Sequence, residues 1–423
     1  MTVRAFLTLA ACCAIAACGP SERETTTADT GTPGEASRDR GREIAHDSVM
    51  VDTHIDVPYR LEEEWADVSQ ATEGGDFDYP RAVSGGLNAA FMSIYTPADL
   101  AEEGGSKALA EKLIGMVEDI AASAPDRFAI ARSPAEVAGH FEAGIISLPM
   151  GMENGSPLES QLANVARFYD RGIRYITLAH SRSNALADSS YDDNKRWGGL
   201  SDFGVEVVHE MNRLGMMVDV SHLSDDAFYD VIEMTRAPVI ASHSAARHFT
   251  PEWERNMSDE MIVRLAENGG VIMINFGSAF ISEEAWKYGE ARGEAYDAWL
   301  EETGAEEDEE AQARFREQYA EEHGPYPYAT LDQVLDHFDH VVELTSADHV
   351  GIGSDYDGVG DSLPIGLKDV SDYPNLVNGL LDRGYSVEAV KKILGENLLR
   401  VWRDVETVAA TLQEQQAAAA EAQ

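Results

Sequence analysis

The stretch SVMVDTHIDVP, residues 48–58, opens as a buried strand and closes on charge-bearing side chains. Val49, Met50 and Val51 are apolar. Asp52, His54 and Asp56 then take alternate positions before Pro58. Side chains alternate faces along a strand, so these three point one way. They aim an imidazole and two carboxylates at one spot beside an apolar core, and the rest of the chain has to explain why.

The same kind of segment recurs. Residues 48–54, 87–95, 144–153, 172–180, 216–222, 238–243, 270–276 and 350–355 are mostly dense in Val, Ile, Leu and Met rather than alternating. That pattern marks strands buried on both faces, as in parallel sheets. Helical patterns lie between them. Leu331, Val334, Leu335, Phe338, Val341 and Val342 recur at helical spacing. Ser201 and Asp202 stand where a helix running to Leu214 needs a cap, Gly215 where it must stop, and Ser258 where another helix begins. Eight strands alternating with helices predict an α/β fold, a (β/α)8 TIM-type barrel over residues 44–405. An open doubly wound sheet is the alternative. An acidic helical insertion, about residues 278–328, precedes the eighth strand; a solvated arm, a lid or a dimer contact would each suit it. Residues 406–423 read as a low-complexity tail.

The N-terminus reads differently. Arg4 precedes an apolar run from Ala5 to Ala17 that is too short to cross a bilayer, the pattern of a secretory signal. Its end, Ile15-Ala16-Ala17-Cys18, resembles the lipobox of bacterial lipoproteins. The resemblance implies cleavage before Cys18 and lipidation there; an ordinary signal peptide is the alternative. Residues 1–18 are thus expected to direct export, and 19–43 to form a flexible polar tether. The expected location is the periplasmic or extracellular side of a membrane. The chain has 3 cysteines, Cys12, Cys13 and Cys18, so the mature domain would hold no disulfide and no thiolate site. With 76 acidic against 32 basic residues the formal charge is −44, which disfavours nucleic acid and anionic headgroups as partners.

Metal-compatible side chains sit at the ends of the predicted strands: His54 and Asp56, Glu153, His180, His222, His243 and Asp355. In a barrel of this kind that rim builds the active site. Each alone is weak, since a lone strand-end histidine is more often a hydrogen-bonded loop residue. Their joint placement on one edge is what counts. Imidazole and carboxylate without thiolate suit zinc, with manganese and cobalt as other choices. His54 and Asp56 would hold one ion, His222 and His243 a second, and Glu153 would bridge. Asp52 lies deeper, so it is expected to support the ligands rather than bind metal.

The motifs VDTHIDVP, GMENG, RGIRYITLAHSRSNALADSS, GMMVDVSH, ASHSAARH, ERNMSDE, GIGSDYDG and GENLLRVW span roughly residues 46–403. Together they resemble the renal (membrane) dipeptidase family of zinc peptidases. The resemblance implies two Zn2+ per subunit on the ligands just named and a dipeptide substrate, L,D-dipeptides included. It implies a metal-bridging hydroxide as nucleophile, His180 as a catalytic and substrate contact, Arg255 on the substrate's C-terminal carboxylate, and Asp355 in proton transfer. It also implies a homodimer, here without a disulfide. Ile55 replaces the family's usual asparagine, and GGLNAAFMSIY departs from its usual aromatic stretch. The alternatives are an amidohydrolase acting on another small amide or ester, such as an N-acyl amino acid, and a non-catalytic lipid-anchored metal-binding protein.

Overall fold

The computed structural model describes residues 33–306 and 308–421. The export segment 1–18 with Cys18, and residues 19–32 of the expected tether, lie outside them. Ten strands form one parallel sheet: β1 (Val51–Ile55), β2 (Ala89–Tyr95), β3 (Phe128–Ala129), β4 (Ile146–Ser147), β5 (Met150–Glu153), β6 (Ile173–Thr177), β7 (Met217–Asp219), β8 (Ile240–Ser244), β9 (Val271–Ile274) and β10 (Val350–Ile352). β1 pairs with both β2 and β10, and this closes an eight-stranded ring of β1, β2 and β5–β10. The (β/α)8 barrel expected from the sequence is therefore the fold, and the open sheet is not.

One predicted strand divides. Residues 144–153 form β4 and β5, separated by Leu148 and Pro149. Proline has no N–H to donate to a ladder. β4 pairs with β3 outside the ring, while β5 joins it between β2 and β6. The two-residue β3 was too short to leave a pattern in the sequence.

The barrel interior is filled by side chains from neighbouring strands. Val51, Phe91, Tyr175, Met217, Ile240, Val271 and Met273 are buried in one cluster with Trp402 and Leu398 of the C-terminal helix. Phe91 packs on Trp402 at 5.5 Å between ring centroids, so that helix plugs the end of the barrel remote from the ligands. It runs unbroken from Asn397 to Glu421, with Val405 and Ala409 buried. The expected tail is thus at least partly a packed helix. At the other end, the expected tether is shorter. Pro33–His46 is helical, and it docks through Ile44 and Ala45 with Gly41 against Asn378. Its polar sequence hid this, because only its last residues are apolar.

Outer helices begin and end where the sequence indicated. Ser201 accepts from Gly204 N at 2.9 Å, Gly215 ends that helix in the left-handed conformation, and Ser258 caps Asp259–Glu267. Val334, Leu335, Phe338 and Val341 are the buried face of Leu331–Leu344. The acidic insertion forms three helices, Ser278–Ile281, Glu283–Thr303 and Glu309–His323.

Gly151 on β5 leaves the space that the Tyr175 ring occupies; a Cβ there would overlap the ring. Gly151→Ala is expected to displace Tyr175 and to lower stability by about 1–3 kcal/mol, read as the midpoint of urea denaturation. An unchanged midpoint would show that the ring moves freely.

Candidate metal centre

β1 carries His54 within its last residues and β8 carries His243 near its end. Glu153 closes β5. His180, His222 and Asp355 follow β6, β7 and β10 in the connecting loops. All lie at the same rim. His222 (φ 67°) and Asp355 (φ 64°) adopt left-handed backbone that non-glycine residues rarely take. Such conformations persist where the surroundings over-determine them, and here they turn both side chains inward.

Glu153 is the centre of the cluster. Its Oε1 lies 3.4 Å from His180 Nε2, 3.2 Å from His222 Nε2 and 3.3 Å from His243 Nε2. Its Oε2 lies 3.4 Å from His54 Nε2, which is also 3.4 Å from Asp56 Oδ2. The His54 and His243 rings stack at 3.8 Å, and His180 meets His222 at 4.2 Å. The structure therefore brings His54, Asp56, Glu153, His180, His222, His243 and Asp355 together.

The hydrogen bonds fix the imidazole tautomers. Tyr175 OH donates to Thr53 O, so it can only accept from His54 Nδ1, at 2.9 Å. Ser242 Oγ donates to Asp219 Oδ2 at 2.6 Å and so accepts from His243 Nδ1 at 2.8 Å. Both Nε2 atoms thereby turn their lone pairs toward the cluster. His222 Nε2 accepts from Arg255 Nη2 at 3.0 Å, yet it faces His243 Nε2 at 2.8 Å, lone pair against lone pair. His54 Nε2 and Asp56 Oδ1 are buried with no hydrogen-bond partner. The converging lone pairs of His54 and His243 and the unpartnered Asp56 oxygen fit a cation, and an all-N,O donor set fits a divalent metal.

Electrostatics agree. Burial, with Arg255 and His180 nearby, holds His222 well below the ordinary imidazole value, and burial with His54 nearby does the same to His243. Burial also acts against charge on His54, but Tyr175, Glu153 and Asp56 outweigh it and hold that ring well above its ordinary value. Burial opposes ionisation of Glu153, yet the surrounding imidazoles keep its carboxyl well below the usual range. Asp355 is pushed up to about 7 by burial and by the Asp56 and Glu153 charges, against His54. Asn275 Nδ2 donates to its Oδ2 at 2.7 Å.

Asp52 behaves as expected. Its Oδ1 accepts from the backbone N of His54 and of Ser354, both at 3.0 Å, and its Oδ2 from Tyr373 OH. It ties β1 to the loop after β10 rather than facing the cluster. Asp219 does the same at β7 and β8, accepting from Ser221 N at 3.0 Å and Ser242 N at 2.8 Å. Asp219, Tyr175, Ser242 and Asn275 escaped the sequence reading. The Val-Asp pair shared by VDTH and VDVSH was the available signal for Asp219.

Arg255 is 2 % exposed and donates to Ser244 Oγ, His243 O and His222 Nε2. It makes no ion pair among the described residues. It stands behind the wall of the cavity and does not line it; the cavity, about 600 Å3, is lined by Asp56, Glu153, His180, His222, His243 and Asp355 at its floor.

Comparison with known proteins agrees with this geometry. Residues 38–416 match the membrane dipeptidase family, peptidase family M19. The chain belongs to that family. It is similar to the dipeptidase tcpJ of Claviceps purpurea, 34% identical over 344 residues, which cover 80% of this chain and 71% of that one. An uncharacterized dipeptidase of Schizosaccharomyces pombe is 31% identical over 382 residues, 86% of this chain and 83% of that one. Among solved structures, the probable dipeptidase PvdM of Pseudomonas aeruginosa superposes with a TM-score of 0.75 at 26% identity, covering 89% of this chain and 100% of that one. A metallo peptidase of Rhodobacter sphaeroides, liganded with a phosphinate mimic of L-Ala-D-Ala, gives 0.70 at 25% identity, covering 85% and 100%. This M19 protein is a metallopeptidase, a hydrolase acting on peptide bonds.

Metal and proton compete for this M19 site, most directly at His54 Nε2. The neighbouring carboxylates that raise the His54 value make a proton and a cation rivals for the same Nε2 lone pair. Zinc binding near neutral pH is expected to release protons and to tighten as pH rises. Calorimetry in buffers of different ionisation enthalpy checks this; heats independent of the buffer would contradict it.

Proposed function

We propose that this M19 protein is a binuclear zinc dipeptidase. His54 and Asp56 would hold one ion, His222 and His243 the other, and Glu153 both. The observation that carries the reading is one buried carboxylate within 3.2–3.4 Å of four imidazole Nε2 atoms, with both of its oxygens engaged. When bound, such a pair supplies an activated water and a polarised scissile carbonyl.

The chain's own groups supply the rest. Asp355 lines the cavity beside His54 and Asp56. It takes the proton lost by the attacking water and passes it to the leaving amine. Asn275 holds its Oδ2 and so sets which oxygen faces the substrate. His180 lines the same floor, where it steadies the developing oxyanion. Arg255 has no carboxylate partner among the described residues, and its Nε is buried without a hydrogen-bond partner. The substrate's terminal carboxylate is assigned to it, reached past Tyr191 and His222. The relative crystallised with an L-Ala-D-Ala mimic supports acceptance of L,D-dipeptides.

Two properties beyond the reaction belong to the same proposal. The protein is a lipoprotein anchored through Cys18 on the outer side of a membrane, and it works as a homodimer without a disulfide.

A panel of L,L-, L,D- and N-acylated substrates on zinc-loaded protein tests the reading, together with metal content. Cleavage of acylated substrates alone would favour the amidohydrolase alternative. Glu153→Gln is expected to lower zinc affinity and turnover together, by at least the roughly 10–100-fold that loss of a supporting partner costs. Full turnover at full metal content would remove Glu153 from the bridge. Cys18→Ala is expected to move the protein from membrane to soluble fractions with the specific activity of the purified enzyme unchanged. Persistent membrane fractionation would end the lipoprotein assignment.

A further inference from the structure

The acidic insertion contributes to the cavity. Trp286, Gly289, Glu290 and Arg292 of Glu283–Thr303 line it, as does Tyr326. The insertion docks on the rim by stacking Trp286 on Trp253 at 5.5 Å and 15°. Arg292 is the one lysine or arginine among the described residues lining the cavity. Its guanidinium stands 5.5 Å from the Tyr326 ring centroid and 5.9 Å from that of Tyr288.

Arg292 also lacks a carboxylate. Neighbours on a helix face stand three and four residues apart. For Arg292 these are Tyr288, Gly289, Ala295 and Tyr296, although the helix also holds Glu283, Glu284, Glu290, Glu294, Asp297, Glu301 and Glu302. Glu290, two residues away, lines the same cavity but makes no ion pair with Arg292. The ion pair of this helix is Lys287 with Glu283, and Arg292 has none among the described residues. A chain of net charge −44 that lines this cavity with Glu63, Glu290 and Asp357 and still leaves its one partly buried guanidinium there unpaired keeps that group free for an anion from outside.

The position of that anion follows from the wall. Arg255 lies under Phe280 at 5.0 Å, Phe280 meets Trp253 at 5.1 Å, and Trp253 carries Trp286 on the helix of Arg292. Arg255 and Arg292 are thus joined by one aromatic wall. A cavity of about 600 Å3 falls mid-range for sites that enclose drug-sized ligands, so it has room beyond a small dipeptide.

We propose that Arg292 forms an outer anion subsite which selects dipeptides with an acidic side chain, aspartate or glutamate, on the C-terminal residue. This rests on the dipeptidase reading and adds a substrate class to it.

The test compares Ala-Glu with the neutral isostere Ala-Gln. The wild-type enzyme is expected to favour Ala-Glu in kcat/KM by about tenfold or more, the scale of one charge-assisted bond. Arg292→Ala should bring the ratio close to one, Arg292→Glu should invert it, and Arg292→Lys should retain part of it. Calorimetry with phosphinate analogues of the two dipeptides should give the same ratio as Kd and needs no turnover. A clamp that only braces the insertion would lower both substrates alike and leave the ratio unchanged, which overturns the proposal. So does a wild-type ratio near one. If neither dipeptide is cleaved and neither analogue binds, the dipeptidase reading has failed as well.

Discussion

Four imidazoles around one buried carboxylate is an arrangement that a protein interior does not tolerate by itself. Removing Glu153 from water opposes its ionisation, and bringing neutral Nε2 atoms within contact of one another sets lone pair against lone pair. A positive charge at the centre relieves both costs. Much of the surrounding structure serves to hold these groups in place against that repulsion.

The restraint is built in layers. Asp52 and Asp219, on strands well apart in the ring, each bind two backbone N–H groups and a hydroxyl at the level of the ligands. A buried carboxylate that accepts several such bonds reinforces the backbone pairing of the strand ends. Below them, Tyr175 reaches up from the barrel core and sets the His54 tautomer, using the space that Gly151 leaves. The packing of the barrel and the chemistry of its mouth are therefore one system, because the side chain that fills the interior also orients a ligand.

The insertion shows how a shared floor can receive a different wall. The ligands come from the barrel strands and the loops just after them, whereas Trp286 and Arg292 come from a helix placed between β9 and β10. That helix supplies none of the clustered ligands. A rigid floor with a variable rim is the usual division of labour in barrels of this type.

The sequence by itself determined the eight-stranded ring, the helix caps at Ser201 and Ser258, and the ligand-type residues. Each of these is written locally, in apolar runs, in turn chemistry or in a histidine beside a strand end. It also placed Asp52 correctly, since strand parity and depth are local properties. It did not show that Pro149 splits one strand in two or that residues 33–43 fold into a helix. Nor did it show that Arg255 stands behind the cavity wall while Arg292 lines the cavity. Those facts depend on which surfaces meet across hundreds of residues. Tyr175 and His54 are 121 positions apart, and Asp52 and Tyr373 are 321 apart. No local pattern encodes such a pairing; closing the barrel does, by bringing the first strand against the last.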